Sequence, residues 1–266
     1  MIEPTKKNFT IKMVRPKKHL GQHFLTDSNI ARKVVDSLHY PAANVLEVGP
    51  GTGILTSLLL NKPIHNFSVI EIDKESATYL RENFPTISDR LFEMDFLTFD
   101  IDHIFDGQVS IIGNFPYNIS SQILFRILKF RNTVTEVVGM FQKEVADRIA
   151  APPGSKTYGI LSVLMQAFYN IEYLFTINPK VFYPPPKVNS AVIRVIRNER
   201  KTLDCDESLF FDVVKTAFNQ RRKMLRNALG KFEFQKHLKL DEMLQMRAEQ
   251  LSVSEFEFIT NCIIKK

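Results

Sequence analysis

Cysteines, long apolar runs and internal repeats are scarce in this chain of 266 residues. Its two cysteines, Cys205 and Cys262, form no Cys-x-x-Cys motif and belong to no cluster of cysteine and histidine. The sequence therefore indicates neither a disulfide framework nor a zinc site. We expect a protein without metal that folds in a reducing compartment.

No apolar run approaches the ~18 residues that a membrane-spanning helix needs. The N-terminus carries lysines but lacks the apolar segment that follows them in a secretory signal peptide. Hydrophobic residues make up 44% and charged residues 24% of the chain, which is ordinary for a soluble globular protein. We expect a cytoplasmic protein without membrane association, built from one large and one small domain.

The net charge of +6 is concentrated in two segments. Residues 1–33 contain eight Lys or Arg and two acids, and residues 215–231 contain six Lys or Arg and no acid. Each segment therefore carries +6, and the remainder carries −6. Affinity for nucleic acid comes from neutralised phosphates, so such segments suit a phosphate backbone. A basic tail and a solvated helix face would give the same counts, but two segments around one core favour nucleic acid.

A strand predicted at 45–48 runs into the glycine-rich turn Gly49-Pro50-Gly51-Thr52-Gly53, and a helix is predicted to follow. Glycine lets the backbone approach a ligand closely. The spacing Gly-x-Gly-x-Gly differs from the Gly-x-Gly-x-x-Gly of dinucleotide-binding proteins. An enzyme that uses nicotinamide or flavin is therefore disfavoured.

Acidic side chains end the next two predicted strands. Glu71 and Asp73 close the strand at 68–73, where a carboxylate can accept both hydroxyls of a ribose, and Glu71 is the stronger candidate. Asp95 follows a further short strand and could accept a hydrogen bond from an adenine amine. Taken alone, Asp95 is more often a loop acid or a helix cap, but the glycine turn and Glu71 favour the nucleoside interpretation.

The motif Asn114-Phe115-Pro116-Tyr117 follows a buried strand predicted at 109–113. The Asn114 amide offers an uncharged acceptor. The Phe115 carbonyl offers a second one, and the nitrogen of Pro116 carries no hydrogen that could compete for it. Two acceptors beside the Tyr117 ring suit a flat base that carries an NH2 group. The alternative is a strand-ending turn with a tyrosine packed over it.

Strands, helices and strand-ending acids alternate in the order typical of parallel βαβ units. We therefore predict an α/β fold with a doubly wound sheet and a ligand crevice at the carboxyl ends of its strands. The proline-stiffened loop 182–190 either presents Phe182 or Tyr183 at the crevice mouth or is a rigid connection with core aromatics. The polar stretch after Arg197 marks a domain boundary, and the rest is helical in pattern, including a helix at 221–229.

Six motifs occur in the order and spacing of the ribosomal RNA adenine dimethyltransferases, and the resemblance runs from about Lys17 to the C-terminus. They are LGQHFL, EVGPGTG, the strand-ending Glu71, MDFLTF, NFPY and FYPPPKVNSAVIRV. The arginine-rich segment AFNQRRKMLRNAL at 217–229 resembles the branch that modifies small-subunit rRNA during ribosome assembly. The antibiotic-resistance branch, which acts on large-subunit rRNA, shares the catalytic motifs and lacks this segment.

The resemblance implies a Rossmann-like sheet of the class I S-adenosylmethionine-dependent methyltransferases, with a small all-helical C-terminal domain. The polar, lysine-rich start and the polar stretch after Arg197 divide the chain into a mobile basic arm (1–16), a large domain (17–197) and a helical domain (198–266). The resemblance implies that the large domain is catalytic and that the helical domain binds rRNA. The implied cofactor is S-adenosylmethionine. The implied partner is 16S rRNA within the small ribosomal subunit, and we expect a monomer.

The cofactor contacts of the family fall on His23, Leu25, Gly49, Gly51, Glu71, Asp95 and Asn114. The first two would cover the cofactor, the glycines would admit its methionine end, and the two carboxylates would hold its ribose and its adenine. Many relatives carry asparagine at position 23 and leucine at position 115. The second difference should matter little, because the proposed contact there uses the backbone carbonyl.

The target adenine would be held by Asn114, Phe115, Pro116, Tyr117 and Phe182. Two acceptors at the amine hydrogens would direct its lone pair toward the sulfonium methyl without a general base. The rings of Tyr117 and Phe182 would stack the base once it has left its own stack. The implied reaction is dimethylation of the exocyclic amines of two adjacent adenosines near the 3′ end of 16S rRNA.

The basic segments supply the candidate RNA contacts Lys17, Lys18, Arg221, Arg222, Lys223 and Arg226. Two other functions stay open: a methyltransferase acting on adenine in large-subunit rRNA or DNA, and a non-catalytic ribosome assembly factor. Intact Gly49, Glu71, Asp95 and Asn114 argue against the assembly factor, because such a protein needs no complete cofactor site. A nicotinamide dehydrogenase is a distant third.

Overall fold

The structure is a computed structural model that describes residues 14–39 and 43–264, so most of the predicted basic arm at 1–16 lies outside the described residues. The strands are β1 (Phe24–Leu25), β2 (Asn44–Val48), β3 (Asn66–Ile70), β4 (Leu91–Phe92), β5 (Val109–Asn114), β6 (Val134–Gln142), β7 (Tyr169–Ile177), β8 (Phe182–Tyr183) and β9 (Ser190–Arg197).

Helices separate and follow these strands. They are α1 (Ser28–Asp36), α2 (Ile54–Leu59), α3 (Lys74–Asn83), α4 (Ile101–Ile104), α5 (Ser120–Lys129), α6 (Lys143–Ala150), α7 (Ile160–Gln166), α8 (Glu207–Asn219), α9 (Leu225–Ala228), α10 (Leu238–Met243) and α11 (Val253–Asn261). Within the two described ranges, no helix is long and apolar enough to cross a membrane.

Seven strands form one sheet in the order β4-β3-β2-β5-β6-β9-β7. The strands from β4 to β6 are parallel, and β9 and β7 add an antiparallel edge. The predicted Rossmann-like α/β fold is therefore confirmed. The chain moves outward from β2 to β4 and then returns to the other side of β2 at β5. This reversal opens a crevice outside the carboxyl ends of β2 and β5, where open α/β sheets bind ligands.

The central strands are apolar on both faces because helices cover the sheet on both sides. Successive strand residues point to opposite faces, so Leu46 and Ile111 join one buried cluster while Val45 and Ile112 join the other. The first cluster continues through α5 and α7 into α8 and α11. The C-terminal helices thus pack on the same apolar core as one face of the sheet.

The predicted helix at 221–229 is wrong in its first half. Residues 220–223 form a turn, and only Leu225–Ala228 is helical. Met224 pairs with Arg247 in an isolated bridge, and the Leu225 amide donates to the Met246 carbonyl at 2.8 Å. This pairing with a distant segment replaces the first helical turn, and periodicity along the chain cannot reveal it.

Candidate active site

A cavity lies at the carboxyl ends of β2, β3 and β5. Nine of the predicted site residues line it: His23, Gly49, Gly51, Glu71, Asp95, Asn114, Phe115, Pro116 and Tyr117. They come from separate parts of the sequence and meet because parallel strands end at the same edge of a sheet. Apolar side chains complete the walls, as is usual for a site that binds a flat organic ligand.

Glu71 follows β3 and is 3% exposed. Its Oε2 accepts the Gly51 amide at 3.1 Å, and its Oε1 accepts the Asp73 amide at 2.9 Å. Burial raises the pKa of Glu71, and these backbone hydrogen bonds act against that rise. Each carboxylate oxygen retains acceptor capacity, so a ligand hydroxyl could still bind.

Asp73 is also buried, but it does not line the cavity. It caps α3 by accepting the Glu75 amide and the Ser76 hydroxyl. The weaker candidate for the ribose contact is therefore occupied elsewhere. Asp95 does line the cavity, and its Oδ1 accepts the Leu97 amide at 2.9 Å, so it is a turn cap with one further oxygen to offer.

The Asn114 amide has a defined orientation. Its Nδ2 donates to the His23 backbone carbonyl at 2.7 Å. Because a carbonyl can only accept, this bond assigns the nitrogen to His23 and leaves Oδ1 as the free acceptor. In the described part of the chain, no donor bonds to Oδ1 or to the Phe115 carbonyl. Two acceptors on adjacent residues are thus available at one wall of the cavity.

The Phe115 side chain anchors this motif in the core. Its ring is 1% exposed and lies 5.0 Å from the Phe141 ring. A Cβ built on Gly139 would come within 2.3 Å of the Phe115 ring, and one on Gly113 would come within 2.5 Å of the Val48 carbonyl. Glycine at both positions makes room for the ring and for close packing of the strands. The buried ring holds the Phe115 backbone at the cavity wall.

The Tyr117 ring stacks on the His23 imidazole, with centroids 5.3 Å apart and planes inclined by 27°. The Tyr117 hydroxyl bonds to Ser190, and burial raises its pKa. His23 in turn bonds through Nδ1 to the Pro184 carbonyl at 2.6 Å, which assigns the proton to Nδ1. An aromatic face therefore stands next to the two acceptors, in the arrangement that an extrahelical base needs.

This combination of an α/β sheet, a glycine turn and two acceptors beside an aromatic ring agrees with the family that the motifs indicate. The sequence model of the ribosomal RNA adenine dimethylase family matches residues 13–265. The chain belongs to this family. The predicted family is confirmed, and the chain is an adenine dimethyltransferase of ribosomal RNA that uses S-adenosylmethionine.

Curated relatives match nearly the whole chain. The ribosomal RNA small subunit methyltransferase A of Flavobacterium johnsoniae is 55% identical over 252 residues, which cover 94% of this chain and 96% of the relative. The protein of the same name from Cytophaga hutchinsonii is 54% identical, with 95% and 99% covered.

Two solved structures share the fold. A dimethyladenosine transferase from Plasmodium falciparum has a TM-score of 0.72 at 24% identity and covers 88% of this chain and 94% of its own. The 23S rRNA methyltransferase ErmE has a TM-score of 0.69 at 23% identity, with 90% and 99% covered.

Two predicted contacts of the dimethylase do not lie at the cavity. Phe182 and Leu25 are each 3% exposed and pair with each other across β1 and β8 in an apolar cluster. The Phe182 ring therefore does not face the cavity in this structure, and the stacking role of Phe182 and the cofactor contact of Leu25 stay predictions. The neighbours on each strand point the other way, so Phe24 lines the cavity and Tyr183 is 62% exposed.

The six candidate RNA contacts have different surroundings. Lys17 forms an ion pair with the buried Asp73, whereas Lys18 is exposed, and RNA contact by either lysine stays a prediction. Arg221 lies 3.7 Å from Glu249 and donates to the Lys156 carbonyl. The remaining three, Arg222, Lys223 and Arg226, are exposed on or next to the turn at 220–223.

The cavity-lining residues that sequence reasoning missed include Gln22, Phe24 and Asn118. A Cβ on Gly51 would come within 2.8 Å of the Phe24 ring, and one on Gly21 within 2.6 Å of the Asn118 side chain. Period-two alternation in the LGQHFL motif could have indicated Phe24, because it stands opposite the buried Leu25. Gln22 was missed because its side-chain nitrogen donates to Asp73, 51 residues later in the chain. Over the described ranges, no group of His, Cys, Asp and Glu could hold a metal ion.

Replacing Glu71 with alanine is expected to weaken S-adenosylmethionine binding roughly 10- to 100-fold, the value of hydrogen bonds to a charged acceptor. Calorimetric titration measures this dissociation constant directly. Glu82→Ala on the exposed face of α3 is the matched control and should leave it unchanged. An unaltered dissociation constant in Glu71→Ala, with the fold intact, would remove Glu71 from the cofactor site.

Glu47 gives a pH-dependent prediction. Its carboxyl is 1% exposed and accepts the Thr56 hydroxyl at 2.7 Å, and burial raises its pKa to about 8. Between pH 4.5, the usual pKa of a glutamate, and about pH 8, Glu47 is protonated in the folded protein but ionised in the unfolded chain. The folded protein therefore binds more protons than the unfolded chain in this pH range. The free energy of unfolding should fall as pH rises through this window.

Glu47→Gln keeps a hydrogen-bonding side chain of the same size but cannot ionise. At pH 8 it should be more stable than the parent protein by up to about 4 kcal/mol. At pH 5 the difference should be small. Urea unfolding at both values measures the slope, and parallel slopes in the two proteins would contradict the assignment.

Proposed function

We propose that this enzyme dimethylates the exocyclic amines of two adjacent adenosines near the 3′ end of 16S rRNA, in the small ribosomal subunit, as a step of subunit biogenesis in the cytoplasm. The observation that carries the adenine chemistry is the fixed Asn114 amide: among the described residues, no donor occupies its Oδ1 or the neighbouring Phe115 carbonyl. The names of the curated relatives, ribosomal RNA small subunit methyltransferase A, support the choice of subunit.

The cavity fits S-adenosylmethionine. A buried carboxylate with remaining acceptor capacity, Glu71, suits the ribose hydroxyls, and Asp95 suits an adenine amine. A Cβ on Gly49 would approach nothing closer than 4.0 Å, but its φ of +68° favours glycine. When bound, S-adenosylmethionine supplies an electrophilic methyl group.

The chain acts on the target adenine by positioning it. An exocyclic amine of adenine is a poor nucleophile because its lone pair is delocalised into the ring. Asn114 Oδ1 and the Phe115 carbonyl accept its two hydrogens, and the Tyr117 ring holds the base plane. Positioning of this kind can lower the activation free energy of the reaction by up to ~7–11 kcal/mol. The amine proton is lost after methyl transfer, so no general base has to act first.

We assign catalysis to residues 17–197 and rRNA binding to residues 198–266. The exposed cations Arg222, Lys223 and Arg226 lie in the second segment, on the turn at 220–223 or in α9 directly after it, and the Met224–Arg247 bridge fixes this stretch. Cations held on a fixed turn suit the phosphates of folded RNA.

The experiment compares three substrates with labelled S-adenosylmethionine: small subunits from cells lacking this enzyme, large subunits, and duplex DNA. We expect label in small subunits alone, and mass spectrometry of the rRNA should find four added methyl groups on two neighbouring adenosines. Label in large subunits or DNA would overturn the choice of substrate. Cofactor binding without transfer to any substrate would instead indicate a non-catalytic assembly factor.

A further inference from the structure

Residues 17–26, here called the strap, run across the carboxyl ends of the sheet strands. At one end, the Lys17 ammonium and the Gln22 side chain bond to Asp73, which follows β3. At the other end, the Thr26 amide and hydroxyl both donate to the Val181 carbonyl, at 2.8 and 2.9 Å. Between these ends, the strap lines the cavity.

The centre of the strap touches the target site. The His23 backbone carbonyl accepts Nδ2 of Asn114 at 2.7 Å, and this bond sets which end of the amide is left as the acceptor. With the amide reversed, Asn114 would present two N–H donors to an adenine amine, which also presents N–H donors. The position of the strap therefore decides whether Asn114 can receive the target.

Asp73 accepts more hydrogen bonds than a helix cap requires, and the additional ones hold the strap. Its carboxylate is 1% exposed and accepts hydrogen bonds from four groups. Two of them, the Glu75 amide and the Ser76 hydroxyl, belong to its own helix, and an asparagine would serve them as a cap. The other two belong to the strap, and Lys17 makes use of the negative charge.

The ionic state of Asp73 fits this role. Burial acts to raise its pKa, but the hydrogen bonds from Lys17 and Ser76 outweigh that effect, and the pKa lies below its usual value. The carboxylate is therefore charged at neutral pH. The pair of this buried carboxylate with the partly exposed Lys17 resists separation, because removal of the lysine leaves the carboxylate charge uncompensated.

We propose that Asp73 is a positioning residue for the target adenine: through Lys17 and Gln22 it fixes the strap, and the His23 carbonyl of the strap orients the Asn114 acceptor. The proposal rests on the proposed function of Asn114 and extends it to residues that contact neither cofactor nor target. It gives Lys17 a role in alignment in place of direct binding to phosphate.

Asp73→Asn and Lys17→Met test the proposal from the two sides of the ion pair. Each is expected to lower the turnover number on saturating small subunits ~10- to 100-fold, the cost of a misplacement of about 1 Å. The Michaelis constant for subunits should change less than twofold. The double variant should be no worse than either single variant, because both remove the same link.

Two further variants separate alignment from general loss of structure. Lys17→Arg retains the ion pair and should recover most of the turnover. Lys62→Met breaks the exposed ion pair between Lys62 and Asp36, whose side chains are 44% and 52% exposed, and should leave turnover unchanged. The Asn114 side-chain NH2 resonance, assigned by its absence in Asn114→Ala, should lose its hydrogen-bonded shift in Asp73→Asn and Lys17→Met.

The outcomes distinguish this proposal from the proposed function. Absence of methyl transfer by the parent enzyme would refute the proposed function, whereas the NH2 resonance would still test the link to the strap. A parent enzyme that methylates small subunits, with unchanged turnover and NH2 shift in both variants, would overturn the positioning role alone. A raised Michaelis constant at normal turnover would assign Lys17 to RNA binding and also overturn it.

Discussion

Replacing Asn114 with alanine is expected to lower the turnover number for methyl transfer roughly 10³-fold or more. The variant loses Oδ1, one of the two free acceptors at the cavity wall, and with it the contact that orients the target amine. Single-turnover transfer of labelled methyl to small subunits measures the effect. The dissociation constant for S-adenosylmethionine should rise only moderately, because Glu71 and Asp95 remain in place.

Asn132→Ala is the matched control for this variant. Asn132 is exposed and lies next to the amino end of β6, at the opposite edge of the sheet from the cavity. The turnover number of the Asn132→Ala variant should therefore equal that of the parent enzyme. Thermal unfolding of both variants checks that the fold is retained. Near-normal turnover in Asn114→Ala would exclude the paired acceptors from the mechanism.

The order of strands, turns and acids could be predicted because these signals are local. A glycine turn follows β2, Glu71 follows β3 and Asn114 ends β5, and each motif is read within a few residues of its strand. Parallel strands then bring the motifs to one edge, whatever the exact lengths of the helices between them. The α/β fold and most of the cavity wall therefore followed from short stretches of sequence.

The contacts that could not be predicted join distant segments. Phe182 is buried because β8 pairs with β1, more than 150 residues earlier, and an aromatic residue in a proline-rich loop does not reveal its partner. Lys17 pairs with Asp73, which lies 56 residues later in the chain. The amide of Asn114 has two possible orientations, and the His23 carbonyl, 91 residues earlier in the chain, selects between them. The sequence could name these residues but not their pairing.

Reversing the charges of Arg221, Arg222 and Lys223 to glutamate is expected to weaken binding to small subunits roughly 100- to 1,000-fold. The dependence of log K on log salt should become shallower by about 2 if each residue neutralises one phosphate. Filter binding at several salt concentrations measures both quantities. Methyl transfer at low subunit concentration should fall in proportion to the loss of binding.

The surroundings of the three cations decide how this result is interpreted. Arg222 and Lys223 are exposed, whereas Arg221 lies 3.7 Å from Glu249 in an ion pair and donates to the Lys156 carbonyl. The single variant Arg221→Gln therefore measures how much of the lost affinity comes from the intramolecular contacts of Arg221. The double variant Arg222→Glu with Lys223→Glu measures how much comes from contacts with phosphates. If the pair leaves affinity and salt dependence unchanged while the cofactor still binds, the turn at 220–223 is only a solvated surface. The RNA must then be held by other cations of the chain.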